Sequence, residues 1–305
     1  MPQSKSPLGT VLRNRYRVAR LLAEGGMGAV YEAMDERTGE RVAVKLLHPG
    51  LEDDGEWCER FRREAEVGRA IVSPHVARLL EAGKNREGRR WIAFELLDGE
   101  TLEERLRRAG KLPFSDVTWV IEHALLGLGA AHRLGVVHRD VKPANLLLER
   151  ARPWLRVLDF GVAKRLVPSG ASLTSTDRTL GTPSYMSPEQ FEDPRDVDAR
   201  TDLYSVGLVA YRALTGRFPF QHPDVAAMHD AKRRGGVASL AGASGVTWPD
   251  ALEGWVQHMV APRRDDRFSS AQAARRAWER ACASMAEHTP LGSSIPEDDT
   301  ELDPA

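Results

Sequence analysis

Cysteine is nearly absent from this 305-residue sequence, which holds only Cys58 and Cys282. A pair so far apart gives neither a zinc-ligand spacing nor a disulfide framework, so a reducing cytoplasm is the expected compartment. Long apolar runs are missing as well. A membrane span needs about 20 mainly apolar residues, and the best candidate, TWVIEHALLGLGAAH, is broken by Glu122 and His123. The opening MPQSKSPLGTVLRNR lacks the apolar run of a signal peptide. The net charge is only −1, without the basic stripe that grips nucleic acid. Neither a membrane nor a nucleic acid is expected as a partner. What remains, 42% hydrophobic and 29% charged, is ordinary globular composition.

Character changes along the chain. From Tyr16 to Lys45, the stretches RYRVARLL, AVYEAMD and RVAVKLL alternate and carry β-branched residues around Gly-containing turns, which predicts strands of a small antiparallel sheet. GEWCERFRREAEVGRAI reads as a charged helix with Trp57, Phe61, Ala65 and Gly68 on one side, followed by two strands in RLLEAGKNREGRRWIAFELL. Beyond Asp98-Gly99 helices dominate, over TLEERLRRAG, Ser115–Leu134, Asp202–Thr215, His222–Arg234, Trp248–Val260 and Ala271–Ala286. The division expected is an N-terminal extension over 1–15, a strand-rich lobe over 16–97, a helical lobe over 98–286 and an acidic tail over 287–305. Five acids and no lysine or arginine follow Thr289, so the tail is expected to be disordered.

Several segments carry chemistry. In LLAEGGMGAVYEA, Gly25, Gly26 and Gly28 would let a backbone approach phosphates with no side chain in the way, although a Gly-rich hairpin is also an ordinary turn. Lys45 in VAVK sits within an apolar strand, where an unpaired buried charge is costly, unless it simply faces solvent. Glu64, 19 residues on, is a candidate counter-ion. HRDVKPAN, His138 to Asn145, is followed by VLDFG, with Asp159 19 residues beyond Asp140. GTPSYMSPE closes the segment after Asp159.

These motifs in this order, a Gly-rich loop, VAVK, HRD followed by Asn, DFG and an APE-like triplet, resemble the eukaryotic-like (Hanks-type) bacterial serine/threonine protein kinases over roughly Tyr16 to Ala283. The resemblance implies an α+β bilobal protein kinase fold, with a small antiparallel sheet and one main helix in the N-lobe and a larger, mostly helical C-lobe. It implies transfer of the γ-phosphoryl group of ATP to protein hydroxyls, with Asp140 as base, Lys142 on the γ-phosphate, Lys45 and Glu64 as an ion pair, and Thr182 contacting Asp140 and Lys142. Asn145 and Asp159 would hold Mg²⁺, with Mn²⁺ as an alternative. Leu22, Ala23, Glu24, Gly25, Gly26, Met27, Gly28, Ala29, Val30, Ala43, Lys45, Phe94, Glu95, Leu97 and Leu147 would surround the nucleotide, Phe94 as gatekeeper and Glu95 and Leu97 offering backbone groups to adenine. Arg139 would meet a phosphorylated loop, Glu189 would pair with Arg267, and Asp202 would anchor the catalytic loop. Thr174 and Thr176 resemble autophosphorylation sites, implying a transient homodimer.

Two departures from the family pattern stand out. Ala23 replaces the first loop glycine, and Gly68 replaces a larger apolar residue, which predicts a loosely seated helix dependent on loop phosphorylation or dimerisation. Ser187 stands where alanine is usual, and KRRGG at 232–236 reads as a solvated helix end, with docking of acidic substrates as the alternative. A pseudokinase would have lost Lys45, Asp140 or Asp159, and all three are present. A small-molecule phosphotransferase would lack GTPSYMSPE, the segment that forms a peptide-docking platform.

Overall fold

A computed structural model describes residues 7–150, 154–160, 182–193, 195–220 and 224–288; for Thr182 and 286–288 the description stops at the backbone. The first lobe is built on β1 (Val11–Leu12), β2 (Tyr16–Glu24), β3 (Gly28–Asp35), β4 (Arg41–Leu47), β5 (Leu79–Lys84) and β6 (Arg90–Glu95), with α1 (Gly55–Ala70) between β4 and β5. The strand pairings of this sheet are antiparallel, in the order β1-β2-β3-β4-β6-β5. The alternation read from the sequence places Tyr16, Val18, Ala33, Val42, Val44 and Trp91 in one core layer. Leu47, Cys58, Phe61, Leu79 and Ile92 form the layer beneath α1.

The expected N-terminal extension over 1–15 is corrected here. Val11 and Leu12 pair with Arg17 and Tyr16, and Leu12 is buried, so the sheet begins before Tyr16. A two-residue strand is too short for any periodicity to signal.

Asp54 starts α1 by accepting from the Glu56 and Trp57 amides, a side-chain cap for otherwise orphaned donors. Gly68 leaves no gap beneath the helix. Leu79 Cδ1 lies 3.0 Å from where a Cβ on Gly68 would stand, so Leu79 fills the space a larger side chain would claim. Gly28 has a packing reason of its own: a Cβ there would stand 2.2 Å from the Leu46 carbonyl oxygen on β4. Gly28→Ala is therefore expected to cost about 1–3 kcal/mol of stability by prying β3 from β4, measured by denaturant titration. A Cβ on Gly26 would meet open space, and one on Gly25 only the Gly28 carbonyl oxygen at 3.8 Å.

A second, three-stranded sheet of β7 (Gly99–Thr101), β8 (Leu146–Glu149) and β9 (Leu155–Val157) lies at the lobe boundary. The helical lobe comprises α2 (Leu102–Ala109), α3 (Phe114–His132), α4 (Thr182–Tyr185), α5 (Pro188–Glu192), α6 (Ala199–Thr215), α7 (Val225–Arg234), α8 (Leu240–Ser244), α9 (Asp250–Met259) and α10 (Ala271–His288). Capping moves two boundaries from their expected places. Asp198 accepts from the Arg200 amide and starts α6 three residues before Asp202, while Asp224 accepts from Ala227 and starts α7 at Val225. Thr101 and Glu104 form a reciprocal capping box on α2. The axis of the lobe is α6, buried from Thr201 to Tyr211 with no polar stripe, as suits a helix surrounded on all sides. At Gly207 a Cβ would meet Met259 at 2.6 Å, so glycine sets how closely α9 approaches. Among the described residues no helix is long and apolar enough to cross a membrane.

Candidate active site

Two adjoining cavities open between the lobes. The first, of about 300 Å³, is lined by Leu22, Ala23, Val30, Ala43, Phe94, Glu95, Leu97 and Leu147, all expected from the sequence. Ala77, Leu96, Thr101, Ala144 and Leu158 line it too and were not foreseen. Its walls are apolar, and Ala43 and Phe94 are cross-strand partners in the β4–β6 register, which brings them to one face. The Leu97 amide has no hydrogen-bond partner among the described residues, leaving it free to donate to a ligand edge. A flat, largely apolar slot with a free backbone donor suits a purine ring.

The second cavity, of about 290 Å³, shares Ala23, Val30, Lys45 and Asp159 with the first. Glu24, Gly25, Gly26, Met27 and Gly28 border it on the side of the β2–β3 turn, and Glu64, Asp140, Lys142, Asn145 and Phe160 complete the lining. The turn is held by a bond from the Gly25 amide to the Gly28 carbonyl and by a 2.7 Å contact between His48 Nε2 and the Gly25 carbonyl. Sequence reasoning missed His48, and no motif flags it. Ala29 is corrected: it is buried and lines neither cavity, because alternation along β3 turns it away from the face that Val30 presents.

Lys45 Nζ donates to Glu64 Oε1 at 2.7 Å and to Asp159 Oδ1 at 3.2 Å. Burial works to lower the Lys45 ammonium, but the charges of Asp159 and Glu64 outweigh it and hold the group well above its ordinary value. Burial pushes the Glu64 carboxyl up against the opposing Lys45 charge. Lys45 is thus a fixed cation. Glu64 and Phe61 share the inward face of α1, which is why the pair forms across 19 residues of sequence.

Asp140 lies in a loop with two strong restraints. Lys142 Nζ is 2.9 Å from Asp140 Oδ2, and Asn145 Nδ2 donates to the Asp140 carbonyl at 2.8 Å. His138 is buried, with its ring 4.7 Å from that of Phe160. Its Nδ1 accepts from the Asp140 amide, which leaves Nε2 to donate to the Leu158 carbonyl at 2.8 Å. One histidine therefore links the Asp140 loop to the segment bearing Asp159. Arg139 and Asp159 take left-handed φ values of 66° and 44°, strain that the surrounding bonds sustain at both positions.

Asp202 supplies much of that support. Its carboxylate accepts from the amides of His138 and Arg139, both at 2.8 Å, and from His132 Nε2 at 2.7 Å. Burial alone would raise this carboxyl, but the His132 bond and the His138 amide help hold it below the ordinary carboxylate range. His132 was not foreseen from the sequence. Arg267 meets Glu189 through two bonds of 2.7 and 2.9 Å, as expected. Burial pushes Glu189 upward, yet the Arg267 bonds and charge, helped by Thr201, leave it lowered. Thr174 and Thr176, like the acidic tail, lie outside the described residues, as does the Thr182 side chain.

Among the described residues no group of three or more His, Cys, Asp or Glu could cage a metal ion. Asp159 and Asn145 are hard oxygen donors lining the second cavity, beside the carboxylates of Glu64 and Asp140 that Lys45 and Lys142 engage, and the Asp159 side chain is half exposed. Two protein ligands suit a cation that shares its shell with water and phosphate oxygens. The residues fit such a cation, with Asn145 oriented for it by its bond to Asp140.

Comparison with known proteins agrees with this geometry. A protein kinase domain model matches residues 16–279. The chain is 40% identical over 217 residues to serine/threonine-protein kinase PknA of Mycobacterium tuberculosis, covering 70% of this chain and 49% of that one. It is 38% identical over 221 residues to serine/threonine-protein kinase pkn2 of Myxococcus xanthus, covering 72% and 26%. The chain thus spans half or less of the length of these relatives. The crystal structure of the Mycobacterium tuberculosis PknI kinase domain superposes with a TM-score of 0.68 at 27% identity, over 92% of this chain and all of that one. With the two-lobed fold, the paired cavities and the ordered motifs in agreement, the chain belongs to the protein kinase domain family.

Proposed function

We propose that this chain transfers the γ-phosphoryl group of ATP to serine and threonine hydroxyls of proteins in the cytoplasm. Membership of the family brings ATP, a divalent cation and a protein substrate; Mg²⁺ is the cation we assign, with Mn²⁺ as the alternative. The observation that carries the reading is the Asp140–Lys142 ion pair of 2.9 Å in the cavity that also holds Lys45 and the glycine-rich turn. A carboxylate beside a fixed ammonium can accept the proton of an incoming hydroxyl while the ammonium steadies the oxygens of the transferring group.

In this reading the apolar slot from Leu22 to Leu147 holds adenine, and Gly25 and Gly26 let backbone amides approach the phosphates. Lys45, kept charged by Glu64, binds the α- and β-phosphates. Bound at Asn145 and Asp159, the divalent cation would neutralise charge on the phosphates. Asp140 orients the acceptor hydroxyl and takes its proton. Thr182 is assigned to the contact with Asp140 and Lys142, and Arg139 to a phosphate on the activation segment. Autophosphorylation at Thr174 and Thr176 within a transient homodimer would bring about −1.5 to −2 charge to each site.

Lys45→Met is expected to lower kcat/KM for ATP by about 10²-fold or more, since a preorganised donor to the reacting phosphates is lost; steady-state kinetics over an ATP series checks it. The reading itself is tested by incubating the protein with labelled ATP, Mg²⁺ and myelin basic protein, then hydrolysing the product for phosphoamino acid analysis. Phosphoserine and phosphothreonine are expected. Phosphotyrosine as the main product would overturn the assignment of Lys142 and the serine/threonine class.

A further inference from the structure

KRRGG reads in the sequence as a solvated helix end, and the structure contradicts this at its first residue. Lys232, near the end of α7, has no exposed surface at all. No carboxylate forms an ion pair with it among the described residues. Burial alone pulls its ammonium down to about 7. Rings of Phe191, Tyr204 and Phe220 surround the nitrogen at 5.7, 5.7 and 5.8 Å. An apolar side chain would fill such a cage without the desolvation cost of a cation, so the charge needs a reason beyond packing.

The reason lies in its hydrogen bonds. Lys232 Nζ donates to the carbonyls of Pro183, Ser184 and Met186 at 2.9, 2.9 and 2.6 Å. An ammonium has three N–H groups, and each finds one acceptor. The remaining carbonyl of that stretch, on Tyr185, accepts from Ser205 Oγ of α6 at 2.8 Å. All four consecutive carbonyls from 183 to 186 are therefore bound by side chains from outside the segment. A single helical turn such as α4 cannot satisfy its own C-terminal carbonyls, and a cation there also suits the helix end. Around the cage the other charges are already committed: Glu189 to Arg267, Arg267 also over the Tyr204 ring at 4.7 Å, Glu192 to Arg233, and the Tyr185 hydroxyl to Arg212.

We propose that Lys232 is a positioning residue for the protein substrate: it ties the 183–186 backbone to α7 and so shapes the surface that receives the phosphoacceptor peptide. The inference rests on the reading of GTPSYMSPE as the peptide platform of a protein kinase. Lys232 touches no reacting atom. It acts through the rail of four clamped carbonyls, which begins one residue after Thr182. Neither cavity of the nucleotide site includes Lys232, so its influence falls on the protein substrate and not on ATP.

The test is Lys232→Met, close in length and apolar, with myelin basic protein as acceptor. KM for the protein is expected to rise about tenfold or more, because a displaced platform misplaces the acceptor, while KM for ATP stays within about twofold. Lys232→Gln, which keeps two donors, is expected to fall between Met and wild type. Unchanged KM for the protein in a folded Met variant overturns the proposal, as do parallel changes in both KM values. Should the Met variant fail to fold, the same split in the Gln variant supports the proposal; loss of fold in both assigns Lys232 to stability alone and overturns it. A wild-type protein that binds ATP yet transfers nothing to myelin basic protein would instead refute the underlying kinase reading, a distinguishable outcome.

Discussion

Asp140→Asn is expected to reduce phosphoryl transfer by about 10²–10⁴-fold, the range for loss of a positioned general base. An amide in place of the carboxylate keeps the shape of the side chain and removes its capacity to take a proton. The Asn145 bond to the Asp140 main-chain carbonyl survives the change, so the loop should hold its course. Lys142 loses its ion-pair partner, which adds to the kinetic loss without touching the adenine slot. Asp140 lines only the second cavity, and nucleotide affinity by calorimetry is accordingly expected to change by no more than about threefold. Transfer within tenfold of wild type would remove Asp140 from the role of base.

Arg267→Ala is expected to produce the largest loss of stability. The Arg267 side chain is wholly buried, and besides its two bonds to Glu189 it donates to the carbonyls of Ala261, Pro262 and Arg200. Its removal strands a largely buried carboxylate with Thr201 as its remaining side-chain donor and leaves three carbonyls without this partner. Breaking one half of a buried pair costs about 3–5 kcal/mol, or on the order of 10 °C in melting temperature for a domain of this size. The pH dependence has a defined sign. In the wild type the Glu189 carboxyl is depressed below its ordinary value of 4.5, so its contribution is present above that pH and lost as pH falls through the folded value. Without Arg267 the buried carboxyl is raised, and protonation relieves it. The stability gap between variant and wild type should therefore narrow on acidification through and below pH 4.5. Melting curves at neutral and acid pH check both points, and an equal gap at the two would contradict the account of the pair.

The sequence made most of the site legible because phosphoryl transfer constrains residue type and spacing together. In the proposed reaction a lysine in an apolar strand, a helix glutamate, and an aspartate and asparagine five residues apart would each answer a charge that the reaction presents. These residues converge on one cavity. What stayed illegible depends on which elements meet. Lys232 sits in a run of charges, and its burial follows from α7 crossing beneath the 183–186 segment, which no periodicity encodes. His132 and Asp202 are 70 residues apart and meet only because α3 and α6 pack together. Gly28 looked like a phosphate-loop glycine, but a Cβ there would also run into Leu46 on β4. Ala29 was assigned by proximity to the motif, when the alternation of β3 already turned it away. Gly68 looked like a defect until Leu79, from another strand, was seen to occupy the space.

The most direct test is to measure ATP binding and phosphoryl transfer on the same preparation, with myelin basic protein and Mg²⁺ present. Nucleotide binding by calorimetry, together with label moving from the γ-position of ATP to serine and threonine of the acceptor, is the predicted result. Binding of ATP with no transferred label would contradict the central claim and leave a nucleotide-binding scaffold in its place.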